Sequence, residues 1–545
     1  MVRSALVLFL SIVLAGCRNP LSSLTSTSHT EDCPILAKQC AGKTSRAPVQ
    51  EASLIRQAAW QTELETLPKF DTPDSETPPL SLPAADSAEE PGKDGETIQL
   101  RDVISSVLNT FPLVQAAALQ FDVAQGQVLS AQGAFDTKLK TSSENGPLGF
   151  YETYRHSAGA VQPLAYGGEV FGGYRVGRGV FQPWYEERQT NEGGEFKAGI
   201  SVPLSRNVDI DSRRAGVRKA NVALSAADPQ FRSQVIRTIR AGSNAYWQWV
   251  AAAAQRRIAA RVLALATTRN EGLEEEVKAG EKGEPVLKDN RRSILSREAK
   301  LIDARRKLQQ SGAKLSIFLR TPTGEPIVPP ENQVPDFPIP DAPSQEWFSR
   351  LTQQALQLRP ELRELDLAVE RLDVELAQAG NDLLPNVDAV FIGSQDMGEA
   401  TSKKRDKSEF ELEASLLVDV PLQRRKARGK LASLEAKRAQ VAQKRRLTAD
   451  KIQADIAVAF AAIQAAYQRV ERTREARELA DFMVGVETEK FKAGQSNLLS
   501  VALREEQAAE AASRAVDALL EYQLGKAALR AAAGVDDGST VEWTP

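Results

Sequence analysis

A tripeptide recurs in this chain at the point where each of two long helical patterns breaks. Lys278-Ala279-Gly280 stands within "EEVKAGEKGE" and Lys492-Ala493-Gly494 within "FKAGQSNLLS", 214 positions further on. Other landmarks fall on a similar offset. Pro112 matches Pro360 at 248, Pro203 matches Pro421 at 218, and Gly324 matches Gly534 at 210. A fixed order of signals repeated at a near-constant spacing means that one structural unit is used twice. The two copies span about 98–324 and 346–534. The drop in offset from 248 to 218 gives the first copy 30 extra residues ahead of its Val-Pro-Leu.

Within each copy the hydrophobic period changes in the same order. A helical period runs from about Leu100 to Ala134 and from Gln345 to Leu383, predicting one helix in each place. The stretch Thr137–Leu204 then holds 12 of the 34 glycines and 5 of the 8 tyrosines, a composition for strands and turns. It ends in "EFKAGISVPL", where Phe196, Ala198, Ile200 and Val202 alternate with Lys197, Gly199 and Ser201. The second copy alternates Phe410, Leu412, Ala414, Leu416 and Val418 with Glu411, Glu413 and Ser415. Such a strand suits a boundary between lipid and water, and also half-burial in a soluble sandwich.

After the strand-to-helix turns, Pro203-Leu204 and Pro421-Leu422, the helical period resumes and runs to Gly280 and Gly494. At 1.5 Å per residue each such helix would reach roughly 110 Å. The return segments, Pro285–Arg320 and Leu498–Ala533, reach only about 53 Å by the same rise. One long helix therefore needs two shorter ones stacked end to end beside it. A connector rich in proline, residues 325–345, joins the copies near the middle of that length.

The N-terminus points to export. Arg3 precedes an apolar stretch from Ala5 to Ala15, too short to remain as a spanning helix, and Leu14-Ala15-Gly16-Cys17 follows. The reading is a leader over 1–16 and an acylated Cys17 that opens a flexible, Pro- and acid-rich tether over 17–97. No later segment is expected to cross a membrane as a helix, so any crossing falls to a closed barrel. Cys33 and Cys40 are the remaining thiols, and their pairing is left open.

Other functions find no support. Lys+Arg 69 against Asp+Glu 72 leaves no basic footprint for nucleic acid. His29 and His156 lie far apart, so no metal set has ligand spacing. Neither a phosphate loop nor a nucleophile with a base is present, and neither an enzyme nor a cofactor is expected.

The lipobox-like Leu14–Cys17, the duplicated order of helix, strand hairpin and helical hairpin, the Pro-Leu that closes the second strand, and the Phe-x-x-Gly turn at Phe491–Gly494 resemble the TolC-like outer-membrane efflux proteins, as a lipoprotein member. The resemblance covers about 98–534, with 535–545 left as a tail. It implies a mainly α fold with a β-barrel part. Three chains would give a homotrimer with four strands each, twelve in all, continued by a long α-helical tunnel in the periplasm. The implied function is the exit duct of a tripartite efflux or type I secretion system, anchored in outer-membrane lipid and fed by an inner-membrane pump and a periplasmic adaptor. The adaptor contacts would lie at the tips, Lys278, Gly280, Glu281 and Gly283 in the first copy and Lys492, Gly494, Gln495 and Ser496 in the second. Some family members carry aspartates beyond the tip glycine; Ser500 and Leu503 stand there, with Glu505, Glu506 and Asp289 nearby. A rival class is a periplasmic coiled-coil adaptor or structural lipoprotein, which would not require two amphipathic strand hairpins.

Overall fold

The computed structural model describes residues 97–181, 189–401 and 410–535. The leader, Cys17, the tether up to residue 96 and the tail from residue 536 lie outside them.

The chain begins with α1 (Leu100–Thr110) and α2 (Pro112–Gln132), where the sequence pattern predicts one helix. Phe111 is extended, with φ −75° and ψ 123°. The ring of Pro112 disfavours helical backbone at the preceding residue, and the proline then starts a new helix at no cost in hydrogen bonds. The same break separates α5 (Gln345–Leu358) from α6 (Pro360–Asn381) at Arg359. A second correction concerns membrane segments, because Leu100–Phe135 is long and apolar enough to cross a bilayer by length and composition. In this fold Ile104, Val107, Phe111 and Val114 pack instead with Val235 and Ile239 of the next long helix.

Four strands follow in the first half: β1 (Lys138–Gly146), β2 (Thr153–Pro163), β3 (Glu169–Gly179) and β4 (Glu195–Pro203). The second half adds β5 (Asn386–Asp396) and β6 (Glu411–Asp419). All six form one antiparallel sheet in chain order, with β1 and β6 as free edges. The first half thus carries two hairpins, where the resemblance implies one. The 30 additional residues sit in the sheet, as the shift in offset predicts.

Two long helices leave the sheet, α3 (Ser212–Lys278, 67 residues) and α7 (Arg425–Lys492, 68 residues), each about 100 Å long by helical rise. α3 starts later than its Val-Pro-Leu turn suggests, because residues 204–207 bond to the turn between α6 and β5, and α7 starts three residues after Leu422. The returns are α4 (Glu284–Leu315) and α8 (Leu498–Ala533). Along its length α3 packs against α2 and α4 on one side and against α6 and α8 on the other. α7 packs against α6 and α8. Four helices therefore lie abreast at every level, α2–α3–α6–α7 near the sheet and α4–α3–α8–α7 away from it.

The core is thickest midway along the helices. Buried Tyr246 and Trp249 gather there, and Trp247 stacks on Phe337 of the connector at 5.7 Å between centroids. Tyr246 donates to the Ile98 carbonyl at 3.1 Å. Tyr522 of α8 donates to the Asp341 carbonyl at 2.8 Å and accepts from the Asp341 N–H. The connector is thus strapped across the helices near the middle, as their lengths require.

Candidate functional site

The sheet has two faces of different chemistry, which the register defines. Pairing of Ile200 with Phe391, and of Phe391 with Ala414, puts these residues on one face with Phe196, Ala198, Val202, Ala389, Leu412 and Leu416. Tyr154 and Tyr174 fall on the same side. The other face carries Lys197 beside Ser394, Glu195 beside Asp396, and Glu413 and Glu411 on β6. On β1 and β2 it carries Lys138, Lys140, Glu144 and Arg155. Within the strands, the apolar face bears only Arg178 and His156 as ionic or imidazole groups, while its β1 portion offers Thr141, Ser143 and Asn145. A charge costs several kcal/mol against hydrocarbon, so only the first face is compatible with lipid. Phe171 pairs with Gly199 and so lies on the charged face.

Part of the charged face is internally paired. Glu195 is buried and accepts from Arg175 on β3, with the Nε contact at 2.9 Å. Below the sheet the strand-to-helix turn after β4 meets the helix-to-strand turn between α6 and β5. Pro203 is the buried last residue of β4, and the Leu204 N–H donates to the Val387 carbonyl at 2.7 Å. Arg206 donates to Asp382 at 3.0 Å, and the Asn207 N–H donates to Asn381 Oδ1 at 2.7 Å. Asn207 takes φ +68°, a left-handed geometry that Asn tolerates, and Asp211 then caps α3 by accepting from the Arg214 N–H. Pro421 and the exposed Leu422 lead from β6 to α7, which begins after Arg424 at φ +49°.

At the far end both helical hairpins turn in the same way. Gly280 N–H donates to the Val277 carbonyl and Glu281 N–H to that of Glu276. Gly494 N–H donates to Phe491 and Gln495 N–H to Lys490 in the same pattern. Both glycines have φ +75°, and this pair of bonds is the Schellman ending of a helix. Lys278 and Lys492 are the last helical residues, and with Glu281, Gly283 and Gln495 they are exposed. Ser496 is half-buried and donates to Glu487. Lys282 reaches across to lie 4.2 Å from the centre of the Phe491 ring, so the two tips sit side by side. The same ending closes α8 at Gly534, away from either tip, so the glycine turn by itself is a helix stop.

No protein-family model and no curated protein matches the sequence. Solved structures do match the architecture. The outer-membrane channel OprN superposes with a TM-score of 0.56 at 13% identity, over 87% of this chain and 99% of that one. VceC of Vibrio cholerae gives 0.56 at 16% identity, over 80% and 96%. The MtrE channel of Neisseria gonorrhoeae, in its open state, gives 0.56 at 15%, over 82% and 97%. The chain has the fold of the TolC-like outer-membrane channels.

Within this TolC-like fold one charged cluster is buried in the helical wall, about three to four turns above the tips. Glu505 of α8 accepts from Arg269 of α3 and, at 2.8 Å, from Arg297 of α4. Glu505 is 4% exposed. Arg297 also donates to the Val262 carbonyl, and buried Asn290 donates to the Ala266 carbonyl. One carboxylate thereby ties the first hairpin to the second. The sequence places Glu505 near the tip and gives it no partner, because its arginines stand 236 and 208 positions away.

Proposed function

We propose that this chain is an outer-membrane exit duct that conducts substrates passively from a periplasmic adaptor and inner-membrane pump to the outside. The observation that carries the reading is the division of one continuous sheet into an apolar and a charged face, directly above a wall four helices wide. A strand wall with lipid on one side and water on the other has this chemistry. The free edges β1 and β6 cannot remain open in a bilayer, so copies of the chain must close the sheet, and three copies are the number that the resemblance suggests. The coiled-coil adaptor and structural lipoprotein readings have no use for a two-faced sheet.

In this reading the halves 98–324 and 346–534 are two copies of one unit, and Cys17 carries the lipid after removal of residues 1–16. The tips, Lys278 to Gly283 and Lys492 to Ser496, form the rim on which the adaptor docks. The identical turns support this, since a ring of like chains would present like endings at one level. Photo-crosslinkers placed at Glu281 and Gln495 should capture the adaptor in cells, while one at Ala414 in β6 should not. Capture from Ala414 with silence at both tips would invert the proposed orientation.

A further inference from the structure

The two free edges of the sheet differ in charge. β6 ends, next to the helices, at Asp419, and β1 begins there with Lys138 and Lys140 on the same charged face. β1 is exposed along almost its whole length and β6 along most of its own, unlike the half-buried strands between them. Beyond the backbone ladder, the side chains of Asp419, Lys138 and Lys140 have no hydrogen-bond or ion-pair partner among the described residues.

The register says how edges of this kind would meet. The line of paired residues from Lys138 runs through Val161, Phe171, Gly199 and Ile392 to Glu413, six residues short of Asp419. Six residues at about 3.3 Å over five spacings of about 4.8 Å set the strands at about 40° to the barrel axis. That lies within the tilt at which barrels close. Carrying the stagger one strand further, with every side chain kept on its own face, brings Asp419 opposite Lys138 or Lys140. At this tilt six strands cover about 38 Å of wall, and four helices abreast at 9–10 Å cover about the same. Four strands would cover only about 25 Å and would have to taper.

We propose that a second copy of this chain docks its β1 edge on β6, with Asp419 facing the Lys138/Lys140 pair, so that three copies close a barrel of eighteen strands rather than twelve. The seam rests on the trimer reading given above. It lets the sheet continue the helical wall at unchanged width, and it places an ion pair on the water side of every junction.

The test uses the full-length chain in outer membranes, with Cys33→Ser and Cys40→Ser as background. Ser142→Cys is combined with Ser415→Cys or with Leu417→Cys, the two registers that the stagger allows. Oxidation should convert one combination into a covalently linked three-chain ladder on denaturing gels. Asp419→Lys should lose the heat-sensitive oligomer band, and Lys138→Asp with Lys140→Asp added should restore it. An intact oligomer that neither combination crosslinks would overturn the seam and leave the trimer standing. So would crosslinks from Phe171→Cys of β3 to Ser415→Cys, which would give the twelve-strand wall. A chain that is monomeric in the membrane would sink the trimer reading itself.

Discussion

Replacing Glu505 by alanine removes the one acceptor shared by Arg269 and Arg297, and leaves two guanidinium groups buried beside each other. The side chains of the three residues are 4%, 11% and 5% exposed, so water can replace little of what is lost. Breaking such a pair by deleting one partner costs about 3–5 kcal/mol. At ~1.4 kcal/mol per decade, the local opening equilibrium of the α4–α8 contact should rise roughly a hundred- to several-thousand-fold. Amide hydrogen exchange reads this directly, because protection in 262–273 and 501–512 reports that opening. Glu505→Gln, which keeps an acceptor, should lose less than Glu505→Ala. A triple variant, Glu505→Leu with Arg269→Met and Arg297→Met, should regain much of the protection, since a packed apolar replacement avoids the buried charges. Unchanged protection in Glu505→Ala, or a triple variant no better than the single one, would refute the claim that this cluster clamps the two hairpins together.

Gly494→Val places a β-branched residue at φ +75° where no atom lies within 4 Å of the new Cβ, so the cost is backbone strain of about 1–2 kcal/mol. Adaptor crosslinking should fall while the oligomer, about 100 Å away by helical rise, still assembles in the membrane. Cys17→Ala should abolish incorporation of a fatty-acid label, and retained label would remove the anchor from the account. Burial holds the Lys526 ammonium below its ordinary pKa, so the unfolded chain binds the proton more readily. Stability should therefore rise with pH between that lowered value and the usual lysine range, and Lys526→Met should flatten the rise in denaturant titrations at successive pH values.

Much of this architecture is readable in the residues because it rests on local rules. Pro203 and Pro421, the paired tip glycines and the period change near residue 137 mark boundaries that the structure keeps within a few residues. The alternation in 196–202 and 410–418 places the correct side chains on the apolar face. What was not legible depends on long-range pairing. The four strands of the first half were hidden because β2 and β3 are interrupted by glycines that weaken alternation, as at Gly159, Gly172 and Gly173. The Glu505 cluster and the Lys282–Phe491 contact join residues more than two hundred positions apart, which no window along the chain can bring together.

The central claim is that one face of the sheet meets lipid and the other water. Single cysteines at 412, 413, 414, 415 and 416, in the Cys33→Ser, Cys40→Ser background, can be labelled in the native membrane with a charged, impermeant thiol reagent. The account predicts fast labelling at 413 and 415 and protection at 412, 414 and 416. Uniform labelling, or the opposite alternation, would contradict it.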